Sequence, residues 1–142
     1  MAEPFVFITT HRVDPAQLDE FTALTREYVE YVTANEPDVW AHLACLDEAG
    51  SEVALVQVHG DAASAEHHMQ IAGEMIGRGL ALATTVTVEV FGEPGPIVRQ
   101  ALEANAAQGI PVTVRAHRLA SAVNPSIVGR DRAPSAARAG AG

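Results

Sequence analysis

The order of strand and helix signals in the first 91 residues constrains the fold of this chain more than any other feature. Residues 5–13 are rich in aromatic and β-branched side chains, and residues 84–91 are mostly alternating threonine and valine, both typical of strands. Two further strand-like runs, residues 39–46 and 52–59, are joined by the short turn Asp47-Glu48-Ala49-Gly50, which predicts a hairpin. One helical segment precedes this hairpin and another follows it.

Both helical segments show recognisable start signals. Asp14 and Pro15 suit the cap and the first position of a helix, which the pair Glu36-Pro37 then ends. Between them, apolar residues recur at helical spacing: Leu18, Phe21, Leu24, Tyr28 and Val32. A second helix is predicted from Asp61 or Ser64 to about Ala81. The order β-α-β-β-α-β predicts an α+β domain of the ferredoxin-like type, with a four-stranded antiparallel sheet and both helices on one face.

The rest of the chain divides into two predicted parts. The run Gly92-Glu93-Pro94-Gly95-Pro96 breaks regular structure, so we assign residues 1–95 to the ferredoxin-like domain. Residues 96–123 are predicted to form an extension, with a helix over 97–108 and a short strand over 110–117. Residues 124–142 consist mainly of Pro, Ser, Gly, Ala and Arg, a composition typical of a flexible tail.

Composition narrows the possible partners. Of the 142 residues, 48% are hydrophobic, which suits one domain with an ordinary core, but no apolar run reaches the ~18 residues of a membrane span. The net charge is −9, and residues 1–95 carry only three arginines against sixteen acids, which disfavours nucleic acid as a partner. A single cysteine, Cys45, and an N-terminus without a basic segment predict a cytoplasmic protein without an internal disulfide.

One row of alternate residues in each predicted strand combines large apolar side chains with isolated polar groups. We expect these four rows to share a sheet face, opposite a valine row of residues 86, 88 and 90 that packs under the helices. A face of this kind is usually covered by a second subunit or shaped into a cleft, so the pattern predicts a homodimer and a pocket. The four rows are Phe5, Phe7, Thr9 and His11; Trp40, His42, Ala44 and Leu46; Val53, Leu55, Gln57 and His59; and Thr85, Thr87, Glu89 and Phe91.

The stretch from Val56 to Met69 runs from a strand through a short acidic turn into a helix with a histidine near its start. With this stretch the chain resembles the antibiotic biosynthesis monooxygenase-like proteins of the dimeric α+β barrel superfamily, over roughly residues 5–91. The extension, from residues 90–94 through residues 111–114, is similar to a bacterial branch of that superfamily. The resemblance implies two sheets packed back to back in a dimer, and a pocket in each subunit for a flat, apolar, partly oxygenated ligand.

The resemblance also implies a choice of activities. Members of the superfamily oxygenate polycyclic phenols or quinols without a cofactor, degrade haem or cyclise polyketides. Haem degraders resemble one another through a strand asparagine, a strand tryptophan and a helix histidine. This chain has His11 and His59 at the first two places, which argues against haem degradation.

Three residues are the predicted catalytic groups. His68 falls where the family often has its helix histidine and shares a helix face with Met75, so it can act as a general base near neutral pH. His59 ends its strand close to that helix and is expected to face the same cavity. Glu89 is the one acid in the fourth mixed row and is expected to orient an imidazole or to pair across the dimer. Each residue also has a structural alternative: His68 can be a core histidine, His59 a polar residue at a strand end, and Glu89 a solvated carboxylate.

The remaining residues of interest are predicted to bind the substrate: His11, Trp40, His42, Gln57, Phe7 and Met75. Trp40, Phe7 and Met75 are more often typical of a plain core than of a ligand pocket. The HExxH, CxxC and GxGxxG spacings are absent, so no metal, nicotinamide or flavin is expected. The leading hypothesis is a cofactor-independent monooxygenase acting on an aromatic or polyketide-type molecule with a histidine base. The alternatives are a cyclase or isomerase on the same fold, or a non-catalytic ligand-binding dimer.

Overall fold

A computed structural model of the chain describes residues 3–127, and most of the predicted tail therefore lies outside the described residues. Within that range the helices and strands follow the predicted order, with a short 3₁₀ turn over Pro15–Gln17. The elements are β1 (Phe5–Val13), α1 (Leu18–Asn35), β2 (Val39–Leu46), β3 (Glu52–His59), α2 (Ala62–Ile71), α3 (Gly73–Leu80), β4 (Ala83–Phe91), α4 (Pro96–Ala107) and β5 (Val112–Arg115).

The strands form one sheet in the order β2-β3-β1-β4-β5. The first four pair antiparallel, which confirms the predicted α+β, ferredoxin-like class. The fifth strand joins the same sheet and runs parallel to β4, with Val112 opposite Val88. The extension therefore enlarges the sheet at the edge formed by β4.

The predicted second helix is wrong in one respect, because it consists of two helices that meet at Ala72. Asp61 begins α2 by accepting a hydrogen bond from the Ser64 backbone amide at 2.8 Å, as an N-cap does. The segment after Ala72 contains three glycines, which are poor helix formers, so the chain reorients there instead of continuing in one line.

Strand pairing corrects the predicted sheet faces. Phe7 lies beside Gln57 on one side and beside Val90 on the other, so the mixed rows of β1 and β3 share a face with Val88 and Val90. That face is covered by helices, because Phe5 and Phe7 pack with Val88 and Val90 against Ala65, Val98 and Leu102. The assignment of these rows to the opposite face was wrong, because both rows of β1 are partly apolar and pattern alone did not distinguish them.

The other face of the sheet carries no helix in the part of the chain that the structure describes. Because side chains alternate along a strand, this face holds Ile8 of β1 and Val56 of β3, which are direct neighbours. Leu43 of β2 lies on the other side of Val56. All three are at least partly exposed, and Leu43 has a relative exposure of 53%. We call this surface, represented by Ile8, Leu43 and Val56, the open face.

The extension is fastened to the domain through α2. The Glu66 carboxylate accepts hydrogen bonds from the backbone amides of Ile97 at 2.9 Å and Val98 at 2.7 Å, in the first turn of α4. An acceptor from another helix thus satisfies two amides that a helix start leaves without partners. Gly95 makes this approach possible, because any side chain at that position would collide with the Glu66 carboxylate.

Candidate active site

A cavity of about 130 Å³ lies between the helix-covered sheet face and helices α1 to α4. An apolar cavity of about 150 Å³ can hold a benzene ring, so this one has room for a single aromatic ring or a part of a larger molecule. A mostly apolar wall with a few polar groups is typical of a small-molecule pocket. Its lining consists of Phe7, Thr9, His11, Phe21, Leu24, Thr25, Tyr28, Leu55, Gln57, Ala65, His68, Met69, Met75, Ile76, Gly79, Leu80, Thr85, Val88, Ala101 and Asn105.

A buried carboxylate–imidazole pair lies at one end of this cavity. Glu36 directly follows α1, and its carboxyl oxygens lie 2.8 and 3.0 Å from Nδ1 of His68 on α2. Both side chains are 2% exposed. Because an ionised carboxylate can only accept, His68 then donates from Nδ1 and keeps its lone pair on Nε2.

The Nε2 atom of His68 has its own partner. It lies 2.6 Å from the hydroxyl of Tyr28, which α1 places two turns before Glu36. The Gln57 amide nitrogen is 3.5 Å from the same hydroxyl oxygen, a distance at the limit of a hydrogen bond. Tyr28, His68 and Gln57 all line the cavity, so this network borders the space where a ligand would lie.

His59 continues the network on the sheet side. Its Nε2 lies 3.0 Å from Oε1 of Gln57 and its Nδ1 lies 2.8 Å from Oγ of Ser64. His59 is fully buried, and its ring centroid is 5.7 Å from that of His68. The two histidines predicted to share a cavity are therefore neighbours, although His59 itself lies behind Gln57 and does not line the space.

Burial sets the protonation of these groups. It lowers the pKa of His68 to about 4, with a smaller contribution from the nearby His67, and it lowers the pKa of His59 to about 3. It raises the pKa of the Glu36 carboxyl to about 7, an effect that His67 partly opposes. Burial also raises the pKa of Tyr28 above its usual range, and the Glu36 charge adds to this. Both imidazoles are thus neutral at pH 7, as a base must be.

His42 and Trp40 lie outside the cavity lining. The His42 ring packs edge-on against Tyr28, with ring centroids 4.9 Å apart, and burial lowers its pKa to about 4. Neither of its ring nitrogens has a hydrogen-bond partner among residues 3–127. Trp40 lies against Gly60, at a bulge where the pairing of β2 with β3 is irregular. His42 thus packs against a residue of the cavity wall, and Trp40 packs against the chain beside His59.

The cavity brings together five of the nine predicted site residues, namely His68, Gln57, Phe7, His11 and Met75. His11 is held by Thr9 at 2.9 Å and Thr85 at 3.2 Å, and burial lowers its pKa. Glu89 lies on the opposite sheet face, because its neighbours Val88 and Val90 face the core. Its carboxylate pairs with Arg115 of β5 at 3.4 Å. Glu89 therefore lies opposite the valine row, as predicted, but it pairs with Arg115 instead of orienting an imidazole of the cavity.

Tyr28 and Glu36 are functional candidates that the sequence pattern did not single out. In the pattern Tyr28 is a core position of the first helix, and Glu36 is only part of its stop signal. A usable signal is nevertheless present, because Tyr28, Val32 and Glu36 follow one another at intervals of four residues. They extend the apolar stripe of α1, and a carboxylate at the end of such a stripe must find a buried partner.

Residues 3–127 contain neither a metal-binding cluster nor a membrane-spanning helix. No group of three or more His, Cys, Asp or Glu side chains there is arranged to hold a metal ion. In the same range, each helix is too short or too polar to cross a membrane.

No family model and no curated protein sequence matches the chain. Solved structures do: MupZ from Pseudomonas fluorescens superimposes with a TM-score of 0.68 at 19% identity, over 89% of this chain and 93% of MupZ. A variant of SnoaB from Streptomyces nogalater, a cofactor-independent oxygenase, superimposes with a TM-score of 0.57 at 16% identity, over 66% of this chain and 96% of SnoaB. A structure named as an antibiotic biosynthesis monooxygenase gives a TM-score of 0.55 at 20% identity, over 64% and 99%.

These similarities show that the chain has the fold of the antibiotic biosynthesis monooxygenase structures. They differ in extent. The SnoaB match accounts for about the length of the ferredoxin-like domain, whereas the MupZ match must reach beyond residue 95, because the first 95 residues make up only about two thirds of the chain. Part of the extension is therefore shared with MupZ.

Proposed function

We propose that the chain is a cofactor-independent monooxygenase that acts on a small aromatic or polyketide-type molecule carrying an acidic hydroxyl. The structural similarity to SnoaB, a cofactor-independent oxygenase, supports the reaction class. The apolar cavity between the sheet and the helices supports a ring-shaped ligand.

The observation that carries this proposal is the buried Glu36–His68 pair at the cavity wall. A neutral imidazole oriented by a carboxylate is the usual arrangement of a general base in enzymes. Glu36 fixes the tautomer through Nδ1, so that Nε2 of His68 is the atom that finally receives the proton. As Glu36 does not line the cavity, we regard it as a positioning residue.

The proposed chemistry follows from removal of that proton. An electron-rich phenolate reacts with dioxygen at a ring carbon. One oxygen atom enters the ring as a carbonyl, and the other leaves as water together with the ring hydrogen and the hydroxyl hydrogen, so that a phenol becomes a quinone. Dioxygen is the oxidant, and the substrate supplies all four electrons that reduce it. The apolar cavity keeps water away from the reactive anion.

Oxygen uptake is the direct test. Purified protein is incubated with phenols and quinols of one to three rings in an oxygen electrode, with product identified by mass spectrometry. We expect one dioxygen consumed for each quinone formed, with one labelled oxygen atom incorporated from ¹⁸O₂. Saturable binding without oxygen uptake or any product would contradict the proposal and favour a ligand-binding protein.

A cyclase or isomerase on the same fold is the second candidate. It is favoured by the Tyr28 hydroxyl beside His68, because such a pair can return a proton to another atom of the substrate. This reaction needs no oxygen. Equal turnover under argon and in air would therefore support the second candidate over the first.

We also propose that the chain works as a homodimer joined through the open face. Its apolar residues Ile8, Leu43 and Val56 form one continuous row across three strands, and exposed patches of this kind mark interaction surfaces. We expect Val56→Arg to convert a dimer into a monomer in light scattering after gel filtration. Leu119→Arg, which changes a residue with a relative exposure of 99%, is the matched control and should stay dimeric. A monomeric wild-type protein would contradict this assignment.

A further inference from the structure

A single directed chain of hydrogen bonds runs through the buried network. Above about pH 7 the Glu36 carboxylate is ionised and can only accept. His68 then donates from Nδ1 and must accept at Nε2, so the Tyr28 hydroxyl donates to it. Gln57 directs its amide nitrogen toward the Tyr28 oxygen and accepts from His59 through Oε1. Every group then has a consistent donor or acceptor role, and the series of hydrogen bonds ends at the Glu36 carboxylate.

This arrangement restricts what a substrate can reach. The lone pair of His68 Nε2 is occupied by the Tyr28 hydroxyl at 2.6 Å, inside a buried site. A substrate hydroxyl could bind that nitrogen only after breaking a strong buried hydrogen bond. The Tyr28 oxygen, in contrast, accepts only the long 3.5 Å contact from Gln57, and Tyr28 lines the cavity. It therefore keeps acceptor capacity for a ligand.

We infer that Tyr28 is the catalytic residue that takes the proton from the substrate hydroxyl while it passes its own proton to His68. This inference deepens the proposed function and rests on it for the substrate class. The substrate O–H bond breaks as a new O–H bond forms on Tyr28, and the former Tyr28 proton bonds to Nε2 of His68. His68 becomes an imidazolium beside the Glu36 carboxylate, and the substrate becomes an oxyanion.

Tyr28 stays neutral before and after the transfer, which suits a hydroxyl in an apolar site. Gln57 assists as a positioning residue, because its amide donates to the oxygen through which the proton passes. The charge that appears on the substrate is balanced by the imidazolium, so the net charge of the site does not change during the step.

The test uses 4-nitrophenol, a one-ring phenol whose ionised form absorbs visible light, titrated through about pH 7, where the Glu36 carboxyl ionises. Binding is measured by equilibrium dialysis and ionisation by the absorbance of the bound probe. We expect the ionisation constant of the bound probe to be at least about tenfold larger in wild-type protein than in Tyr28→Phe, a difference of one unit in the pKa of the probe. Tyr31→Phe is the matched control, since Tyr31 lies on the same helix with an exposed hydroxyl.

Each outcome decides the matter. Tyr28→Phe that ionises the probe as well as wild type would show that His68 meets the substrate directly, which overturns the inference but leaves the proposed function intact. Wild-type protein that does not bind the probe, or binds it in the neutral form, also overturns it. Wild-type protein that ionises the probe through Tyr28, but consumes no oxygen with any phenol, would uphold the inference and refute the oxygenase.

Discussion

Replacing His68 by glutamine should lower kcat by two to four orders of magnitude, the usual contribution of a general base. Glutamine can still donate a hydrogen bond to Glu36, but its amide cannot take up a proton. The proton transfer that begins at the substrate therefore has no final acceptor. The side chain is nearly isosteric, and the fold and the dimer should persist. The measurement is the rate of product formation, together with circular dichroism and light scattering on the same sample.

His67→Gln provides the comparison, because His67 precedes His68 on α2 and is exposed. Its rate should stay close to that of wild type. The companion Glu36→Gln should lower kcat less than His68→Gln does, and should remove the rise in rate that wild type shows as the pH increases through about 7, where the Glu36 carboxyl ionises. Wild-type rates in His68→Gln would exclude this residue as the base.

As the pH is lowered, the protein should begin to lose stability near pH 6.5, well above the pH range in which most carboxylates titrate. Burial lowers the pKa values of His42, His59 and His68 to between about 3 and 4. The unfolded chain protonates these side chains near pH 6.5, whereas the folded chain does not, so stability is fully present above that pH and is lost as the pH falls below it. Glu36 acts in the opposite direction, because its raised pKa makes the folded state bind a proton first.

Three histidines outweigh one carboxyl, which leaves about two net protons in favour of the unfolded state. At about 1.4 kcal/mol per proton and pH unit, the free energy of unfolding should fall by roughly 2–4 kcal/mol between pH 7 and pH 5. Urea unfolding followed by Trp40 fluorescence measures this change. His42→Leu should flatten the pH dependence, since His42 has no buried partner to lose, whereas His117→Gln on the exposed surface should not alter it. Stability that stays level over this range would contradict the buried, neutral state of these imidazoles.

Element order was predictable because it depends on local signals. Asp14 and Asp61 mark helix starts, and the Asp47–Gly50 turn marks the hairpin, without reference to the rest of the chain. The sheet face on which each row of side chains lies was not predictable, because it depends on which strands are neighbours in the sheet. Phe7 could be placed only once Val90 and Gln57 were known to be its neighbours.

Among the site residues, too, some were predictable from local signals and others were not. His68 was found through the family resemblance and its place on the second helix, and His59 because it ends a strand close to that helix. Phe7, His11 and Gln57 were found because they lie in the mixed strand rows. Glu36 was not, because its partner lies 32 residues away and its proximity to a proline suggested a simple helix end. The partner of Glu89 was not predicted, because the sequence does not show that Arg115 joins the sheet beside it.

The bond between Glu66 and the first turn of α4 limits how far the chain can be shortened. Ala101 and Asn105 of that helix form one wall of the cavity, and Glu66 lies two positions before His68. A truncated variant that keeps only residues 1–95 would thus lose one wall of the cavity, together with the two amides that bind Glu66 on the helix that carries the proposed base. Grafting foreign tails onto this scaffold should begin after β5, where neither the cavity nor its anchoring carboxylate is disturbed.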